Sequence, residues 1–544
     1  MTVSLAFLGG LGEVGRNCTS VEVEGKLALI DCGLMFPEEG MLGVDLVLPD
    51  FSSVVARRDD LECVILTHGH EDHVGALGYL LSQVSVPVYG TPLAIEIARS
   101  RVEEAGLQAD LRPVAVKEWV QHGPFRFRLI PVSHSIPQGA GVALDTPEGL
   151  IVHSGDFKLD PTPIDGVPTD LPEFAELGRR GVRLLLADST NAEEPGFIPS
   201  ESTMARALYE LMVECRGRVI AACFASHLHR VQQIVEAAVD CNRYVAFLGR
   251  SMQRNVAIGE ALGVLRLPPD AVIPMEEVLT HPSHRTAVVC TGSQGEPFAA
   301  LSLMAAGDHK WVTIEEGDTV LLSARAIPGN EMRMSRVING LLRLGARVFH
   351  GDNAPIHVSG HGAQVELRTF LNVVRPRAFV PIHGEYRHLS AHAALAREMK
   401  VPEVLVCEDG DRVVLDGAET RVERRAVPGA HVYVDGLEVA GGTKGIIRDR
   451  RHLCEDGVIV VVVAVDASTG ALVQGPDLES HGFVGEPASV LASAAEAVAE
   501  DLAAMAGAPP DLEAMRRRMV QAVNRVTRGE KSRKAVVIPI VLQT

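Results

Sequence analysis

Short apolar runs alternate with polar or glycine-rich turns over most of this chain, and amphipathic stretches of helical period lie between them. This mixture of the two hydrophobic periods predicts an α/β protein in which buried strands end at loops that carry polar residues. The predicted strands include residues 63–66, 87–89, 125–132, 149–153, 184–187 and 378–382. The predicted helices include residues 95–106, 204–214 and 363–371.

The pattern restarts near residue 200, which indicates an inserted α/β domain that ends near residue 350. Beyond residue 411 the chain becomes hairpin-like. A final unit combines apolar strands with alanine-rich helices and carries no cluster of ligand side chains, so its predicted role is oligomerisation or packing. The strands of this unit are predicted at 458–466 and 535–542, and its helices at 488–504 and 512–527. The segments predicted in this way are residues 1–200, 201–355, 356–447 and 448–544.

Length and composition agree with a large protein of this class. A chain of 544 residues is too long for one core, and 47% hydrophobic residues with 51 glycines suit a compact α/β protein. The longest apolar run, residues 458–465, is far shorter than a membrane span requires. Since no signal peptide is visible either, we expect a soluble cytoplasmic protein with no membrane partner.

Charge and cysteine usage narrow the class further. The formal charge of -19, from 51 basic and 70 acidic residues, argues against non-specific nucleic-acid binding through a surplus of positive charge. A locally basic channel stays open, and bound cations would change the sign of the field around them. The nine cysteines are scattered without a Cys-x-x-Cys pair, which is typical of reduced core residues.

A glycine-rich stretch follows the first strand. Gly10, Gly12 and Gly15 match the dinucleotide-binding fingerprint, but that fingerprint requires a helix after the glycines. Residues 19–30 instead have the alternating pattern of a hairpin, so we reject a dinucleotide site. Asp31 ends this hairpin, where a carboxylate could orient a metal-bound histidine; a turn-forming aspartate is the alternative.

The strand at residues 63–66 leads into the densest group of polar side chains in the sequence. His68, His70, Asp72 and His73 occupy six positions ahead of a predicted helix at residues 74–80. Imidazole nitrogens and carboxylate oxygens are ligands that zinc prefers, and alternate residues of a tight loop face the same way. One loop can therefore serve two metal ions, whereas the simpler alternative is a polar loop with chance histidines.

Other residues of ligand type lie at the ends of later predicted strands. His134 and Asp156 follow two of them, and His383 follows a third. Sites in α/β proteins form at this edge of the sheet. Together with the first loop, these residues supply a further histidine and a carboxylate that is able to bridge two ions.

Three further segments have the character of anion-binding turns. Residues 291–296 and 327–331 are glycine-rich turns after strands, which can hold phosphates through backbone N–H groups but are also ordinary in α/β folds. Residues 357–361 open a helix, so N–H groups, a hydroxyl and imidazoles converge there.

The pair His227 and His229 lacks a following Asp-His, so helix capping or an RNA-facing patch is favoured over metal binding.

These motifs resemble those of a known family. The pattern from His68 to His73, with His134 and Asp156, resembles the metallo-β-lactamase fold. Asp188, His361 and His383 resemble the three added motifs of β-CASP nucleic-acid hydrolases. Four longer stretches resemble the bacterial ribonuclease J family: residues 9–17, 153–158, 357–361 and 381–387. The resemblance extends over nearly the whole chain.

The resemblance implies an αββα sandwich with an inserted β-CASP domain in residues 201–355 and a small C-terminal α+β domain.

The resemblance also implies roles for individual residues. His68, His70 and His134 would hold one zinc ion, Asp72, His73 and His383 another, and Asp156 would bridge them; Mn²⁺ or Mg²⁺ could be the working ion. His361, supported by Asp188, would donate a proton, and the turn His357-Val358-Ser359-Gly360-His361 would hold an RNA phosphate. Gly43, Asp45 and Asp435 could hold a structural calcium ion. Gly362 replaces an alanine common in the family, which puts only the rigidity of the pocket in doubt.

The chemistry of the predicted site agrees with this resemblance, because two nearby metal ions can activate water and stabilise the transition state of phosphodiester hydrolysis. The family implies 5′→3′ degradation of single-stranded RNA with a preference for a 5′-monophosphate, added endonuclease activity, and roles in mRNA decay and rRNA maturation. A homodimer or homotetramer, and contacts with other RNA-decay proteins, are expected. Two alternatives stay open at this point: another metallo-β-lactamase-type hydrolase acting on DNA or a small molecule, and a non-catalytic RNA-processing scaffold.

Overall fold

The structure is a computed structural model that describes residues 2–38, 40–278, 280–296, 298–327, 330–436, 438–440, 444–482, 487–507, 509–531 and 535–544. The chain forms two compact units. The first comprises Met1–Glu38 and Asp45–Val439, and the second comprises Glu39–Val44 and Ala440–Thr544. None of the helices that the structure describes has the length and apolar character needed to cross a bilayer.

Two facing β-sheets form the centre of the first unit. The larger sheet has eight strands, in the order Glu419–Glu423, Arg412–Asp416, Val3–Gly9, Cys18–Val23, Lys26–Ile30, Leu61–Ile65, Val88–Gly90 and Leu111–Pro113. The smaller has seven, in the order Glu403–Val404, Ala378–Ile382, Val182–Asp188, Gly149–His153, Ala140–Thr146, Phe125–Pro131 and Val120–His122. Alternate residues of both sheets point into one shared core, which includes Phe7, Ile65, Phe127, Leu186 and Val380.

Helices cover the outer faces of both sheets, which completes the predicted αββα sandwich. Phe174 and Phe370 are buried between the smaller sheet and its helices, Leu171–Arg180, Gln364–Val374 and Tyr386–Glu398. The larger sheet is covered by Ser52–Val55, Glu71–Val74, Leu77–Leu81 and Pro92–Glu104. Two short helices therefore replace the single helix predicted at 74–80. They separate at Gly75, where an added Cβ atom would lie 2.5 Å from the Leu34 side chain.

A five-stranded parallel sheet forms the inserted part of the first unit. Its strands, in spatial order, are Tyr244–Leu248, Thr286–Cys290, Val219–Ala222, Thr319–Leu322 and Arg347–Phe349. The central strands are buried along their whole length, as expected for a parallel sheet covered on both faces. The helical segments are Thr203–Val213, Leu228–Asp240, Arg250–Ala261, Met275–Val278, Ser283–Arg285 (a 3₁₀ turn), Ala300–Ala306 and Glu331–Arg343.

Two short strand pairs tie distant segments of the first unit together. Leu46–Leu48 pairs antiparallel with Val432–Asp435, and Leu11–Gly12 pairs parallel with Gly384–Glu385. The second pair places the glycine-rich stretch next to His383. The strand Cys18–Val23 follows this stretch, as the predicted hairpin requires, and not the helix that the dinucleotide fingerprint needs. A further strand spans Glu438–Ala440.

The second unit has its own core. Val458–Val465 is the central strand of a three-stranded sheet, antiparallel to Leu472–His481 and parallel to Val536–Gln543. Its alternate side chains pack under the helices Pro487–Ala503 and Leu512–Lys531. A third helix, Lys444–Asp456, was not expected.

Candidate metal centre

The ends of five strands bring the predicted ligands to one place. The loop after Leu61–Ile65 carries the His68–His73 cluster, and His134 and Asp156 follow the next two strands of the smaller sheet that end at this edge. Asp188 ends its own strand, and His383 directly follows Ala378–Ile382. The strands Gly149–His153, Val182–Asp188 and Ala378–Ile382 run parallel, so their carboxyl ends share one edge of the sheet.

Three histidines form the first group of ligand atoms. The Nε2 atom of His68 lies 3.1 Å from Nδ1 of His70, which lies 3.2 Å from Nε2 of His134. Three ring nitrogens that face one another, on the buried His68 and His134 and the half-buried His70, are poorly served by hydrogen bonds alone, since each neutral ring has one donor and one acceptor. A shared metal ion satisfies all three, so this group fits zinc.

Asp72, His73, Asp156 and His383 form the second group. Asp156 Oδ2 lies 3.2 Å from His73 Nε2, and Asp156 Oδ1 lies 3.0 Å from His383 Nδ1. His383 Nε2 is buried, 3.3 Å from Asp72 Oδ2, yet makes no well-aligned hydrogen bond within the described residues. Asp156 Oδ2 is also 3.8 Å from both His68 Nε2 and His134 Nε2, which places this carboxylate between the two groups.

Burial and charge set the protonation of these rings. Burial lowers the pKa of His68 and His134 well below the usual value, and that of His70 to about 4, so the first group is neutral as metal ligands must be. Burial also lowers the pKa of His73 and His383, but the surrounding carboxylates, Asp156 first among them, together raise both pKa values well above the usual one. The second group therefore stabilises positive charge at its centre.

The partners of His73 include a residue that the sequence pointed to and two that it did not. Asp31 Oδ2 lies 2.8 Å from His73 Nδ1 and accepts from Thr67 Oγ1, also at 2.8 Å. The proposed orienting role of Asp31 thus has a direct contact. Thr67 and Asn17, whose Nδ2 is 3.0 Å from His73 Nε2, were missed. Their positions next to the histidine cluster and at the end of the glycine-rich stretch were the available signals.

Asp188 and His361 form a separate pair beside the ligands. His361 Nδ1 lies 2.7 Å from Asp188 Oδ2, and the His361 ring is 4.9 Å from the ring of His134. Burial lowers the pKa of His361, but the charge and hydrogen bond of Asp188 raise it above the usual value. Asp188 thus keeps a proton on a ring that reaches the cavity.

The turn at residues 357–361 is fixed to the metal centre and to its surroundings. Gly360 O accepts a hydrogen bond from His134 Nδ1 at 2.8 Å. Asn191 Nδ2 donates to Ser359 Oγ at 2.9 Å and to His361 O at 2.7 Å. The carboxylate of Glu366, which is fully buried, accepts from Ala363 N at 2.8 Å. Asn191 and Glu366 carry no motif that would have marked them.

A cavity of about 960 Å³ is lined by five of the seven predicted ligands: His70, Asp72, His134, Asp156 and His383. Its lining also includes the turn at residues 357–361, Arg325, Met35, Phe36 and Glu71. A cavity of this size lies at the upper end of the range for ligand-binding pockets.

Other predicted site residues lie elsewhere. The His227 ring accepts a hydrogen bond from Arg230 N, so His227 caps the helix Leu228–Asp240, which is one of the two predicted roles. Asp45 accepts a hydrogen bond from Gly436 N at 2.7 Å. Gly43 O accepts from the Arg450 guanidinium at 2.8 Å, which is an unfavourable neighbour for a cation. No group of three ligand residues gathers at the predicted calcium site in the part of the chain that was described. Calcium binding by Gly43, Asp45 and Asp435 stays a prediction.

Family models match four parts of the chain. Residues 11–189 match the metallo-beta-lactamase superfamily, and residues 216–341 match the beta-CASP domain of ribonuclease J. Residues 351–406 match the Zn-dependent metallo-hydrolase RNA specificity domain, and residues 445–544 match the ribonuclease J C-terminal domain.

Curated relatives match over most of their length. Ribonuclease J of Mycolicibacterium smegmatis is 40% identical over 98% of this chain and 96% of its own. Ribonuclease J2 of Bacillus subtilis is 36% identical over 99% and 98%, and Ribonuclease J 1 of Streptococcus pyogenes is 39% identical over 89% and 86%. A crystal structure of a protein of unknown function from Enterococcus faecalis superimposes with a TM-score of 0.54 at 16% identity, over 76% of this chain and 100% of that one. This last likeness concerns the fold alone.

Proposed function

This chain belongs to the ribonuclease J family and is a metal-dependent ribonuclease, and we propose that it degrades RNA from the 5′ end with a preference for a 5′-monophosphate. Internal cleavage is a second activity in this proposal, and mRNA decay and rRNA maturation in the cytoplasm are its setting. Family membership argues against the alternative of a hydrolase that acts on DNA or a small molecule. A non-catalytic scaffold is disfavoured because the chain has all seven predicted ligands.

The metal proposal follows from the two groups of ligand atoms. His68, His70 and His134 would hold one zinc ion, and Asp72, His73 and His383 a second, with Asp156 between them. Mn²⁺ or Mg²⁺ could replace zinc as the working ion. Two ions held in this way supply Lewis-acid chemistry, which stabilises phosphoryl charge and makes water a better nucleophile near neutral pH.

The remaining steps belong to side chains of the protein. Asp188 accepts from Nδ1 of His361, so the second ring nitrogen is left to donate a proton to the leaving oxygen. Asp31 holds Nδ1 of His73, and Gly360 O holds Nδ1 of His134, so both rings keep fixed orientations.

One contact carries the proposal of end recognition. The hydrogen bond from His134 Nδ1 to Gly360 O couples the phosphate-binding turn to a metal ligand. A terminal phosphate seated on this turn would therefore stand at a fixed distance from the metals.

Enlarging Ser359 tests this assignment. Ser359→Leu should fill the phosphate position without removing a metal ligand, so stepwise 5′→3′ degradation and the monophosphate preference should fall by roughly 10²-fold or more. Cleavage of circular RNA, which has no terminus to seat, should fall much less. The two activities are followed on end-labelled and circular substrates of the same sequence.

Ser359→Ala, which keeps the space open, serves as the matched control and should retain the preference for a 5′-monophosphate. A similar loss of both activities in Ser359→Leu would place the turn in the general RNA path and would remove its end-sensing role.

The second unit suggests how the protein assembles. Ile538, Ile540 and Leu542 lie on the sheet face opposite the helices and are 44%, 39% and 51% exposed. Their neighbours across the strand pair are Val460, Val462 and Ala464. An open apolar face of this kind favours burial against another chain. We propose that it contributes to a homodimer or homotetramer; other RNA-decay proteins are further candidate partners.

Charges placed on this face should weaken the assembly. Ile538→Glu combined with Ile540→Glu should shift the protein toward smaller species in size-exclusion chromatography with light scattering, and lower the rate on long RNA. Leu342→Glu, an exposed apolar position on the helix Glu331–Arg343, is the control. If Leu342→Glu dissociates the protein while the double variant does not, the proposed role of the C-terminal sheet is wrong.

A further inference from the structure

Phe36 is an aromatic side chain that the proposed mechanism does not use. It lies in the wall of the cavity and is 44% exposed. The next residue toward the N-terminus, Met35, exchanges two backbone hydrogen bonds with Val47, N to O, each of 2.9 Å. The backbone beside Phe36 is thus held in place while the ring stays accessible, at a cost in exposed apolar surface.

The segment before Phe36 is bonded to the loop of the second ligand group. Cys32 N donates to His73 O at 2.7 Å, and Leu34 N donates to Glu71 O at 3.1 Å. At Gly33 the approach is so close that a Cβ atom would lie 1.6 Å from Asp72 O. Phe36 follows Leu34 by two residues, so its backbone stays within about 7 Å of a residue bonded to the metal loop.

The phosphate-binding turn adjoins the other ligand group. Gly360 O bonds to His134, a member of the first group, whereas the Phe36 segment bonds to the loop that carries Asp72 and His73. An RNA strand whose 5′ phosphate occupies the turn and whose next phosphodiester lies at the metals would continue toward the second group. Phe36 is therefore placed for the nucleotide on the 3′ side of the cleaved bond.

Charge favours a stacking contact on this wall. Of the cavity-lining residues that the structure describes, the cationic ones are Arg325 and Arg387, and neither belongs to the segment Met35–Glu38 or the loop at Glu71 and Asp72. The wall around Phe36 instead carries carboxylates. The segment Met35–Glu38 and the pair Glu71 and Asp72 themselves offer no cation to the RNA backbone, although Arg101, which is not among the lining residues, pairs with Glu71. The aromatic ring of Phe36 can instead stack on any base.

We propose that Phe36 stacks on the base of the nucleotide 3′ to the scissile phosphate and so sets the position of single-stranded RNA over the metal centre. This rests on the proposed 5′→3′ function. A face available to every base supports binding without sequence preference, which suits an enzyme that must move along an entire transcript.

The test combines protein and substrate changes in single-turnover hydrolysis of short 5′-monophosphate RNAs by the metal-loaded full-length enzyme. Phe36→Ala should raise the enzyme concentration required for half-maximal rate by about ten-fold or more. Phe36→Trp should restore binding, and Phe36→Leu should not. An RNA that lacks only the base 3′ to the cleaved bond should bind the unmodified enzyme as poorly as intact RNA binds Phe36→Ala, with no further loss when both are combined.

The controls separate this proposal from a general effect. Tyr209→Ala, an equally exposed aromatic position outside the cavity, should leave binding unchanged, and Phe36→Ala should keep the slope of binding against salt concentration. The stacking role is overturned if the losses from Phe36→Ala and from the missing base multiply, or if Phe36→Leu binds normally. If the unmodified enzyme releases no 5′ nucleotide from any RNA, the proposed 5′→3′ function is wrong. If that enzyme is active but the losses from Phe36→Ala and from the missing base multiply, only the stacking role of Phe36 is wrong.

Discussion

Replacing His70 or His73 by alanine is expected to lower RNA hydrolysis by at least about 10³-fold, because each substitution removes a ligand from one of the two metal sites. The unmodified protein should hold about two transition-metal ions per chain, and each variant fewer. Metal content is measured by elemental analysis of the same samples that are assayed. The fold should survive, since the cores of both sheets are apolar and do not depend on this loop.

His481→Ala is the matched control, because this histidine is 72% exposed on the C-terminal sheet. It should keep both metal and activity. Active protein that contains no metal would contradict the assignment of the two groups, as would a His70 variant that keeps full activity.

His361→Ala is expected to retain both metals yet lower hydrolysis by roughly 10²–10⁴-fold, because the proton donor to the leaving oxygen is lost. A substrate with a phosphorothiolate at the cleaved bond has a leaving group that needs no proton. The variant should therefore recover most of its rate on that substrate. Equal damage on the two substrates would instead assign His361 to binding or folding.

Asp188→Asn provides a second reading of the same pair. Asp188 raises the pKa of His361, and a general acid loses its proton as the pH rises through that pKa. The fall in rate at high pH should therefore begin at a lower pH in Asp188→Asn than in the unmodified enzyme. A pH profile with an unchanged upper limb would separate Asp188 from proton donation.

Much of the fold could be predicted from the sequence, because short stretches of neighbouring residues mark most strands and motifs. The strand Gly149–His153 and the strand Ala378–Ile382 have the predicted bounds, since apolar runs ended by glycine or histidine turns mark both ends. The helix predicted at 95–106 begins earlier, at Pro92, which occupies its first turn. The helix Lys444–Asp456 was missed because its charged run hides a helical period.

The candidate metal centre likewise contains residues that the sequence marks and residues that it does not. The histidine cluster and the residues at strand ends carry their signal in residue type and spacing. Asn17, Thr67 and Asn191 act through contacts with residues that are distant in the sequence. Asn17 and Thr67 had only their positions beside a motif as a signal, and no motif marked Asn191. The buried Glu366, which binds three backbone N–H groups from three segments, has the same character.

The central claim is tested most directly by following the products from three RNAs of one sequence, with a 5′-monophosphate, a 5′-triphosphate or a closed circular backbone. Metal-loaded protein should release nucleotides stepwise from the 5′-monophosphate RNA, act slowly on the triphosphate, and cut the circle internally. Protein stripped of metal should do none of these until zinc or manganese is restored. Release from the 3′ end, or equal rates on the two 5′ termini, would contradict the account.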